Sequence, residues 1–308
     1  MAFHSGFACI LGRPNAGKST LLNALVGEKL AIVSPKPQTT RNRILGIVQV
    51  PKQKSKPGGQ VVLIDTPGVH RPDSSLGRMM MAEVREALEG CDLLLLIVDV
   101  TQRFGQGDQF SLEMAKKTAT PAFLLLNKID LIAQKDKLLP IIDGYRKLYD
   151  FKEVIPLSAR KKLGLDVLLQ KVVENLPKGP PGFPEDQITD QPMRFMVAEV
   201  IREQVLLEAS DEVPYATTVV IEQFEEGARL TRIAAAIYCE RDGQKRILVG
   251  RQGQMLKKIG TAARLQIEKM VGTKVYLELF VKVRPGWRES HSFIEELDWR
   301  RQRERTSR

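Results

Sequence analysis

The apolar positions in the first half of the chain fall into short runs, each with the length of a buried strand. These runs cover residues 7–11, 61–64, 93–98, 122–126 and 154–157. Each run ends in polar side chains or a glycine turn, and the first is followed by helix-forming residues. This pattern predicts an α/β fold in which an open, mostly parallel sheet presents polar loops along one edge. Residues 52–59, rich in Lys, Pro and Gly, are predicted to form a hairpin tip.

The pattern changes beyond residue 178. Prolines and glycines crowd residues 177–192, where neither a helix nor a strand would persist, so residues 179–192 are predicted to be a linker. The following pattern predicts a helix, two strands, a second helix and a final strand, over 193–207, 217–223, 233–239, 254–270 and 274–283. We therefore expect two domains, 1–178 and a smaller α+β domain over 193–285, with a basic tail over 286–308.

The loop after the first apolar run has the pattern G-x-x-x-x-G-K-S. Its residues are Gly12, Arg13, Pro14, Asn15, Ala16, Gly17, Lys18 and Ser19, and Thr20 follows in the next helix. Glycines let backbone N–H groups turn towards phosphate oxygens, and the helix N-terminus adds partial positive charge. We expect Lys18 to reach the β- and γ-phosphates of a nucleotide and Ser19 to hold Mg²⁺. The alternative is an ordinary glycine turn, and the strand before the loop and the helix after it favour the phosphate site.

The second apolar run ends in Asp65, Thr66, Pro67 and Gly68. An acid at this end of a strand can hold Mg²⁺ through water, and the Gly68 N–H can meet a γ-phosphate. The alternative for so short a motif is a plain β-turn. The third run ends in Asp99, which we interpret as the end of a central strand.

The last two runs end in residues that suit a guanine base. They are Asn127, Lys128, Asp130, Ser158, Ala159 and Arg160. A carboxylate accepts hydrogen bonds from guanine N1 and the 2-amino group, which adenine does not offer together, so Asp130 is predicted to read the base. Asn127 is predicted to support this loop, the Lys128 stem to cover the ring, and a backbone amide near Ala159 to reach guanine O6. Together the motifs predict a site for GTP and GDP.

A second glycine motif precedes the helix predicted over residues 254–270. It consists of Gly250, Arg251, Gln252 and Gly253. That helix has one apolar stripe, and Lys257, Lys258 and Arg264 lie off it. The sequence carries a net charge of +10, and residues 241–274 hold nine basic and two acidic residues. A G-x-x-G beside a basic helix matches the clamp of a K-homology (KH) RNA-binding domain. The alternative is a solvated charged surface, but such a surface would carry charges of both signs. We therefore expect this segment to bind nucleic acid, and the match to a KH domain makes RNA and not DNA the expected partner.

The order of the nucleotide motifs resembles the translation-factor-related GTPases over residues 6–178, and nearly the whole chain resembles the Era family of bacterial GTPases. The resemblance is carried further by residues 34–41, 65–70, 183–186, 257–260 and 276–283. It implies a P-loop GTPase domain with helices on both faces of the sheet and a type II KH domain. It also implies a target near the 3′ end of small-subunit (16S) rRNA, maturation of the pre-30S particle, and peripheral association with the inner membrane. Over residues 245–249 it implies a helix, although local propensity favours a strand.

The residue after Gly68 decides how hydrolysis is expected to work. In the better-known small GTPases a Gln there orients the attacking water, whereas this chain has Val69. We therefore expect catalysis to rely on Mg²⁺, loop amides, Lys18, Thr40 and Gly68, with unassisted turnover of about 10⁻³ s⁻¹ or less. The expected magnesium ligands are Ser19, Asp65 and Thr40, and the sequence leaves open whether the adjacent Thr39 takes the place of Thr40. An amide oxygen is a hard ligand, so Asn15 is a candidate ligand for K⁺ beside the β- and γ-phosphates.

Other features narrow the class of protein. Cys9, Cys91 and Cys239 lie in apolar contexts without a C-x-x-C pair, which predicts buried thiols in a reducing compartment. No apolar run approaches the ~20 residues of a spanning helix, and no signal-peptide core begins the chain. We expect a cytoplasmic monomer. Two alternatives remain open. A tRNA-modifying GTPase would need a reactive C-terminal Cys and a cofactor-binding domain, and a plain RNA-binding protein would carry the nucleotide site as a relic.

Overall fold

The computed structural model describes residues 3–53, 56–69, 72–209 and 213–298. The chain forms two compact units. The first comprises Met1–Arg71 and Met79–Asp190, and the second comprises Pro72–Arg78 and Gln191–Arg308.

The first unit is built on a sheet of parallel strands with one antiparallel edge. Up to residue 190 the elements are β1 (His4–Leu11), α1 (Lys18–Val26), β2 (Ile44–Val50), β3 (Gly59–Asp65), α2 (Ser75–Glu89), β4 (Leu93–Asp99), α3 (Gln106–Lys116), β5 (Ala122–Asn127), α4 (Leu138–Leu148), β6 (Glu153–Pro156) and α5 (Leu165–Asn175). The strand order is β2-β3-β1-β4-β5-β6, and only β2 runs antiparallel to its neighbour. The five strands predicted from the apolar runs are confirmed, and β2 and β3 form the expected hairpin. Residues 54 and 55 of its tip lie outside the described residues.

The strand order explains where a ligand can bind. β1 lies between β3 and β4, so the chain leaves β1 towards one side of the sheet and later returns on the other. Open α/β sheets bind ligands in the crevice at such a point, outside the carboxyl ends of the strands. The glycine loop follows β1 directly. Strands β3, β4 and β5 are buried along their whole length, and this core holds the carboxyl ends in place.

Residues 179–190 contain no helix or strand, yet they are attached to the first unit. The Ile47 N–H donates to Ile188 O at 2.8 Å, and the Thr189 hydroxyl donates to Leu45 O at 2.7 Å. The side chain of Gln60 bonds to the backbone of Gly182 and Phe183. This part of the predicted linker therefore covers the β2 edge of the sheet instead of running free.

The second unit is a smaller α+β fold. Its elements are α6 (Met193–Glu208), β7 (Thr218–Glu225), β8 (Leu230–Cys239), α7 (Asp242–Val249), α8 (Gln254–Val271), β9 (Lys274–Val283) and α9 (His291–Glu296). The sheet has the order β7-β8-β9, with β7 antiparallel and β9 parallel to β8. Helices α6 and α8 contribute much of its core, including Val197, Ile201, Ile259, Ala263 and Ile267. The predicted α/β fold followed by an α+β domain is confirmed.

Helix α7 covers the segment where the two sequence arguments disagreed. The helix implied by the family resemblance is confirmed, and the strand favoured by local propensity is wrong. The side chain of Gln244 accepts bonds from the N–H groups of Glu240 and Arg241 and so caps the helix start. Leu248 is buried while Ile247 is exposed, which is the one-sided burial of a helix and not of a central strand.

The segment after β9 corrects another expectation. Residues 286–298 were predicted to belong to a basic tail, but they form a short 3₁₀ turn, Trp287–Glu289, followed by α9. Trp287 is fully buried, and its Nε1 donates to Ala216 O at 2.8 Å. Phe293 packs edge-on against both Trp287 and Tyr238. Residues 299–308 of the predicted tail lie outside the described residues.

Two further expectations concern thiols and membrane spans. Cys9 and Cys239 are buried as predicted, whereas Cys91 is only half-buried, and all three thiols are free. Among the described residues, no helix combines the length and apolar character needed to cross a membrane.

Candidate nucleotide-binding site and G-x-x-G loop

A cavity of about 610 Å³ opens in the first unit. The predicted site residues that line it are Pro14, Asn15, Gly17, Lys18, Ser19, Thr20, Thr40, Gly68, Asn127, Lys128, Asp130, Ser158, Ala159 and Arg160. The structure thus brings together side chains from separate loops of the first unit. The predicted residues Gly12, Arg13, Ala16, Asp65, Thr66 and Pro67 are not part of the lining.

The glycine loop, or phosphate loop, comprises residues 12–19 and is shaped by its own backbone and by Asn127. Gly17 has a φ of 103°, and a Cβ atom there would come within 2.2 Å of the Asn127 side chain, so only glycine fits. Lys18 begins α1 and is buried, and its Nζ donates to Gly12 O at 2.9 Å and to Arg13 O at 3.0 Å. Burial lowers the pKa of Lys18 to about 8, against the attraction of the nearby Asp65 charge. The two carbonyl oxygens carry only partial negative charge. A phosphate group in the cavity would place a full negative charge beside the Lys18 ammonium.

Three oxygen-bearing side chains meet next to this loop. Ser19 Oγ donates to Asp65 Oδ2 at 2.7 Å and lies 2.9 Å from Thr40 Oγ1. Asp65 is fully buried, and burial raises its pKa to about 6 despite the opposing effect of Lys18. In the described part of the chain, Asp65 Oδ1 has no hydrogen-bond partner. A buried carboxylate with an unmatched oxygen and two adjacent hydroxyls fits the hard oxygen ligands that Mg²⁺ prefers.

The two threonines of the 34–41 segment differ in their partners. Thr40 is buried and its hydroxyl faces Ser19. The hydroxyl of Thr39 instead bonds to Ser34 Oγ at 2.7 Å and to Lys36 O at 2.6 Å. Of the two, Thr40 is the one placed with the other predicted magnesium ligands.

Asn127 ties the phosphate loop to the loop after β6. Its Nδ2 donates to Ala16 O at 2.8 Å, and its Oδ1 accepts from Ala159 N at 3.0 Å. The Ser158 N–H donates to Leu163 O. Of the three residues predicted near guanine O6, Arg160 therefore offers the N–H that these bonds do not use. Asn127 thus links two loops that line the cavity.

Asp130 and Lys128 both line the cavity. Asp130 is in the 3₁₀ turn Ile129–Leu131, and Lys128 precedes it with a left-handed φ of 68°. Lys128 Nζ donates to Asn15 O at 3.0 Å and pairs with Asp99 Oδ2 at 2.6 Å. Sequence reasoning had assigned Asp99 no role beyond ending a strand. The pairing joins residues 29 positions apart, and no local pattern reveals such a contact.

Other residues at the cavity were also missed by the sequence reasoning. Ile32, Val33, Pro35 and Gln38 contribute to its wall. Asn15 Nδ2 donates to Pro35 O at 2.8 Å, so the phosphate loop contacts this segment directly. The available sequence signal was that these residues lie in or beside the 34–41 segment.

The remaining predicted residues act away from the cavity. The Thr66 hydroxyl donates to Ile10 O in the sheet interior, and Arg13 pairs with Asp108 at 3.2 Å. Val69 is buried in the hydrophobic core, and its N–H donates to Gly12 O at 3.2 Å. A buried aliphatic side chain offers no group that could orient a water molecule.

The G-x-x-G loop of the second unit lies between α7 and α8. Gly250, Gln252 and Gly253 all have positive φ angles, of 72°, 51° and 78°. The side chains of Arg251 and Gln252 are exposed in this turn, which directly precedes α8. Such a turn allows a close approach of a nucleic-acid backbone.

The basic residues of α8 are only partly available. Lys257 and Lys258 are exposed, but Lys258 pairs with Glu208 at 2.5 Å. Arg264 pairs with Glu268 at 2.9 Å. The predicted basic face exists, although intramolecular acids balance two of its members.

Comparison with known proteins identifies the family. A family model described as "50S ribosome-binding GTPase" matches residues 7–128, and a KH-domain model matches residues 212–288. GTPase Era of Ruminiclostridium cellulolyticum is 47% identical over 301 residues, covering 97% of this chain and 99% of its relative. GTPase Era of Geobacter metallireducens is 48% identical over 299 residues, covering 96% and 98%.

Two solved structures agree with this result. Both have a TM-score of 0.91 and 37% identity, and both cover 96% of this chain and 99% of the other. One is a point variant of Aquifex aeolicus Era bound to GDP and aluminium fluoride. The other is an Era protein in complex with MgGDPNP and nucleotides 1506–1542 of 16S ribosomal RNA. With its P-loop GTPase domain and KH domain, this chain is a GTPase and belongs to the Era family.

Proposed function

We propose that this protein is a GTP-dependent switch that binds small-subunit rRNA near its 3′ end and acts in maturation of the pre-30S particle. The observation that carries the proposal is the presence in one chain of a complete nucleotide cavity and an exposed G-x-x-G loop with Arg251 and Gln252 at its tip. The similar Era protein that holds nucleotides 1506–1542 of 16S rRNA supports the choice of RNA. In this account GTP orders two segments beside the nucleotide, residues 34–41 and 65–68, and hydrolysis changes how RNA is held.

On the phosphate side, Lys18 would exchange its bonds with Gly12 O and Arg13 O for bonds to the β- and γ-phosphates. Ser19, Thr40 and Asp65 would hold Mg²⁺, either directly or through water, because the Ser19 hydroxyl already lies 2.9 Å from Thr40 Oγ1 and 2.7 Å from Asp65 Oδ2. When bound, Mg²⁺ neutralises phosphate charge. The Gly68 N–H would face the γ-phosphate.

On the base side, Asp130 would accept bonds from guanine N1 and the 2-amino group while the Lys128 stem covers the ring. Asn127 would hold the phosphate loop and the Ala159 loop at a fixed separation through its two bonds. These fixed donors and acceptors give the site its preference for guanine.

Asn15 is the candidate for the charge compensation that Val69 does not provide. Its Nδ2 donates to Pro35 O, an arrangement that leaves the Oδ1 atom to face a cation. We propose that K⁺ is held there beside the β- and γ-phosphates, where electrostatic stabilisation is usually the largest catalytic contribution.

We assign residues 1–178 to the GTPase domain and 193–285 to the KH domain, and we propose a cytoplasmic monomer that associates peripherally with the inner membrane. The net charge of +10 supports attraction to anionic lipid headgroups. The tRNA-modifying alternative requires a reactive C-terminal thiol. Cys239, the last cysteine of the sequence, is fully buried in the KH core, which does not suit that role.

The proposal is tested by measuring the binding of a fluorescent RNA that carries the 3′ end of 16S rRNA. We expect tight binding of this RNA by the protein loaded with a non-hydrolysable GTP analogue. A scrambled RNA of equal length and composition should bind at least about ten-fold more weakly, because specific recognition exceeds phosphate contact alone. Equal affinity for the two RNAs would contradict the assignment of this target.

A further inference from the structure

Asp99 lies at the carboxyl end of β4, and its two carboxylate oxygens contact different residues. Oδ1 accepts from the Thr101 N–H at 3.0 Å and from the Thr101 hydroxyl at 2.6 Å, which fixes the plane of the carboxylate. Oδ2 lies 2.6 Å from Lys128 Nζ. The side chain of Asp99 is 7% exposed, so this pairing is largely shielded from solvent on the acid's side.

Burial alone would raise the pKa of Asp99, but the bonds from Lys128 and Thr101 outweigh burial and hold that pKa below its usual value. The carboxylate is therefore ionised at neutral pH, and Lys128 faces a full negative charge.

Lys128 is held from two directions. Besides Asp99, its ammonium contacts Asn15 O in the phosphate loop at 3.0 Å. Lys128 and Asn15 line the nucleotide cavity, whereas Asp99 does not. Lys128 is therefore the direct contact through which Asp99 can influence a bound nucleotide.

We propose that Asp99 is a positioning residue that locks the Lys128 stem over the guanine ring and so slows nucleotide release. This inference rests on the proposed function, in which Lys128 covers the base. A lysine stem is long and flexible, and a single backbone acceptor leaves it several rotamers. The second, charged acceptor restricts the ammonium to one place between β4 and the phosphate loop. The bond from Lys128 Nζ to Asn15 O ties the loop after β5 to Asn15, whose side chain reaches Pro35.

The competing explanation is that Asp99 merely stabilises the end of β4. A double-mutant cycle separates the two, because coupling between partners appears as non-additivity. The variants are Asp99→Asn, which keeps the shape and removes the charge, and Lys128→Met, which keeps an unbranched stem and removes the ammonium. The double variant completes the cycle. Release of a fluorescent GDP is measured by stopped flow for each, with melting temperatures recorded alongside.

The matched control is Asp92→Asn. Asp92 precedes β4 and its Oδ2 accepts from Phe7 N at 2.8 Å, so it also anchors β4, but at the end of the strand opposite to Asp99. We expect this variant to lower the melting temperature and leave GDP release unchanged.

We expect Asp99→Asn to accelerate GDP release roughly ten-fold, the low end for losing a hydrogen bond to a charged group because Lys128 is partly exposed. Lys128→Met should release GDP at least as fast, and the double variant should be no faster than Lys128→Met alone. Thr101→Val, which loosens the carboxylate without removing its charge, should give an intermediate rate and serves if Asp99→Asn fails to fold.

Wild-type release from both Asp99→Asn and Thr101→Val, together with fast release from Lys128→Met, would overturn the positioning role alone. Multiplied effects in the double variant would overturn it as well. Wild-type release from Lys128→Met, which keeps the stem, would show that the ammonium does not hold the stem in place and would also overturn the inference alone. Wild-type release from Lys128→Ala, which removes the stem, would show that Lys128 does not cover the base, and the proposed base side of the site would fall together with the inference.

Discussion

The hydroxyl oxygen of Thr40 lies 2.9 Å from that of Ser19, and Ser19 in turn donates to Asp65 at 2.7 Å. The neighbouring Thr39 hydroxyl is committed to Ser34 and Lys36 instead. The sequence left open which threonine would meet a magnesium ion, because two adjacent threonines carry the same chemistry. The partners of the two hydroxyls favour Thr40.

Thr40→Ala should therefore reduce magnesium-dependent GTP hydrolysis by about a hundred-fold, the usual effect of losing one electrostatic contact at the reacting phosphate. Thr39→Ala is the matched control and should retain most of the activity. Phosphate release is measured over a titration of MgCl₂, with chelator as the zero point. A larger loss in Thr39→Ala than in Thr40→Ala would reverse the assignment.

Asp130→Asn should change which base the protein binds. The substitution replaces a carboxylate acceptor with an amide, and sites that lose a matched polar partner discriminate by about 10⁴. Affinity for GTP should fall by that order, and xanthosine triphosphate, which carries an oxygen in place of the 2-amino group, should bind in its stead. Competition against a fluorescent nucleotide measures both. Unchanged GTP affinity would show that Asp130 does not read the base.

The sequence predicted the nucleotide loops because each follows a buried strand, and parallel strands bring their carboxyl ends together. It could not predict the contacts between loops. The Asp99–Lys128 pair and the Asn15–Pro35 bond join residues whose spacing has no regular period. The α7 segment shows a different limit, because β-branched and aliphatic residues favour a strand until a cap such as Gln244 and one-sided burial select a helix.

Of the two ion pairs made by basic residues of α8, one could be predicted from the sequence and the other could not. The Arg264–Glu268 pair follows the i, i+4 spacing of a helix and could be read from the sequence. The pairing of Lys258 with Glu208 requires α6 to pack beside α8, which only the folded chain shows. Counting basic residues therefore overestimates the charge that is free to meet RNA.

Changing both Arg251 and Gln252 to Asp should abolish specific RNA binding and leave basal GTP hydrolysis near wild type. The change places negative charge against phosphates, and the binding that remains should depend less steeply on salt because fewer counterions are released. Asp also tolerates the left-handed backbone at residue 252. The matched control changes Ala228 and Arg229 to Asp, which alters the charge equally in the exposed turn between β7 and β8. Equal RNA affinity of the two double variants would remove the loop from the RNA site.

Potassium should accelerate hydrolysis. At equal ionic strength, turnover in KCl should exceed turnover in NaCl, since an amide oxygen at Asn15 suits the larger monovalent ion and Val69 supplies no polar group. Asn15→Ala should remove the difference while GTP binding remains. Rates are compared with and without RNA. Equal rates in the two salts under both conditions would contradict a potassium site.

Trp287→Ala should destabilise the second unit by about 3–5 kcal/mol, the range for removing a large buried aromatic side chain. The indole is fully buried and its Nε1 bonds to Ala216 O, so both packing and a hydrogen bond are lost. Tyr276→Ala, at a residue that is 54% exposed in the same unit, is the control and should cost far less. Chemical denaturation measures both. Similar losses for the two variants would indicate that the 286–298 segment adds little to the fold.

We propose above all that this GTPase acts on the 3′ end of small-subunit rRNA. The most direct test crosslinks the GTP-loaded protein to RNA in cells and sequences the captured fragments, with the Arg251 and Gln252 double variant processed in parallel. The account predicts that reads from the wild-type protein concentrate at the 3′ end of 16S rRNA and that this enrichment disappears in the variant. Reads spread evenly over cellular RNA, or an equal 3′-end enrichment in the variant, would contradict it.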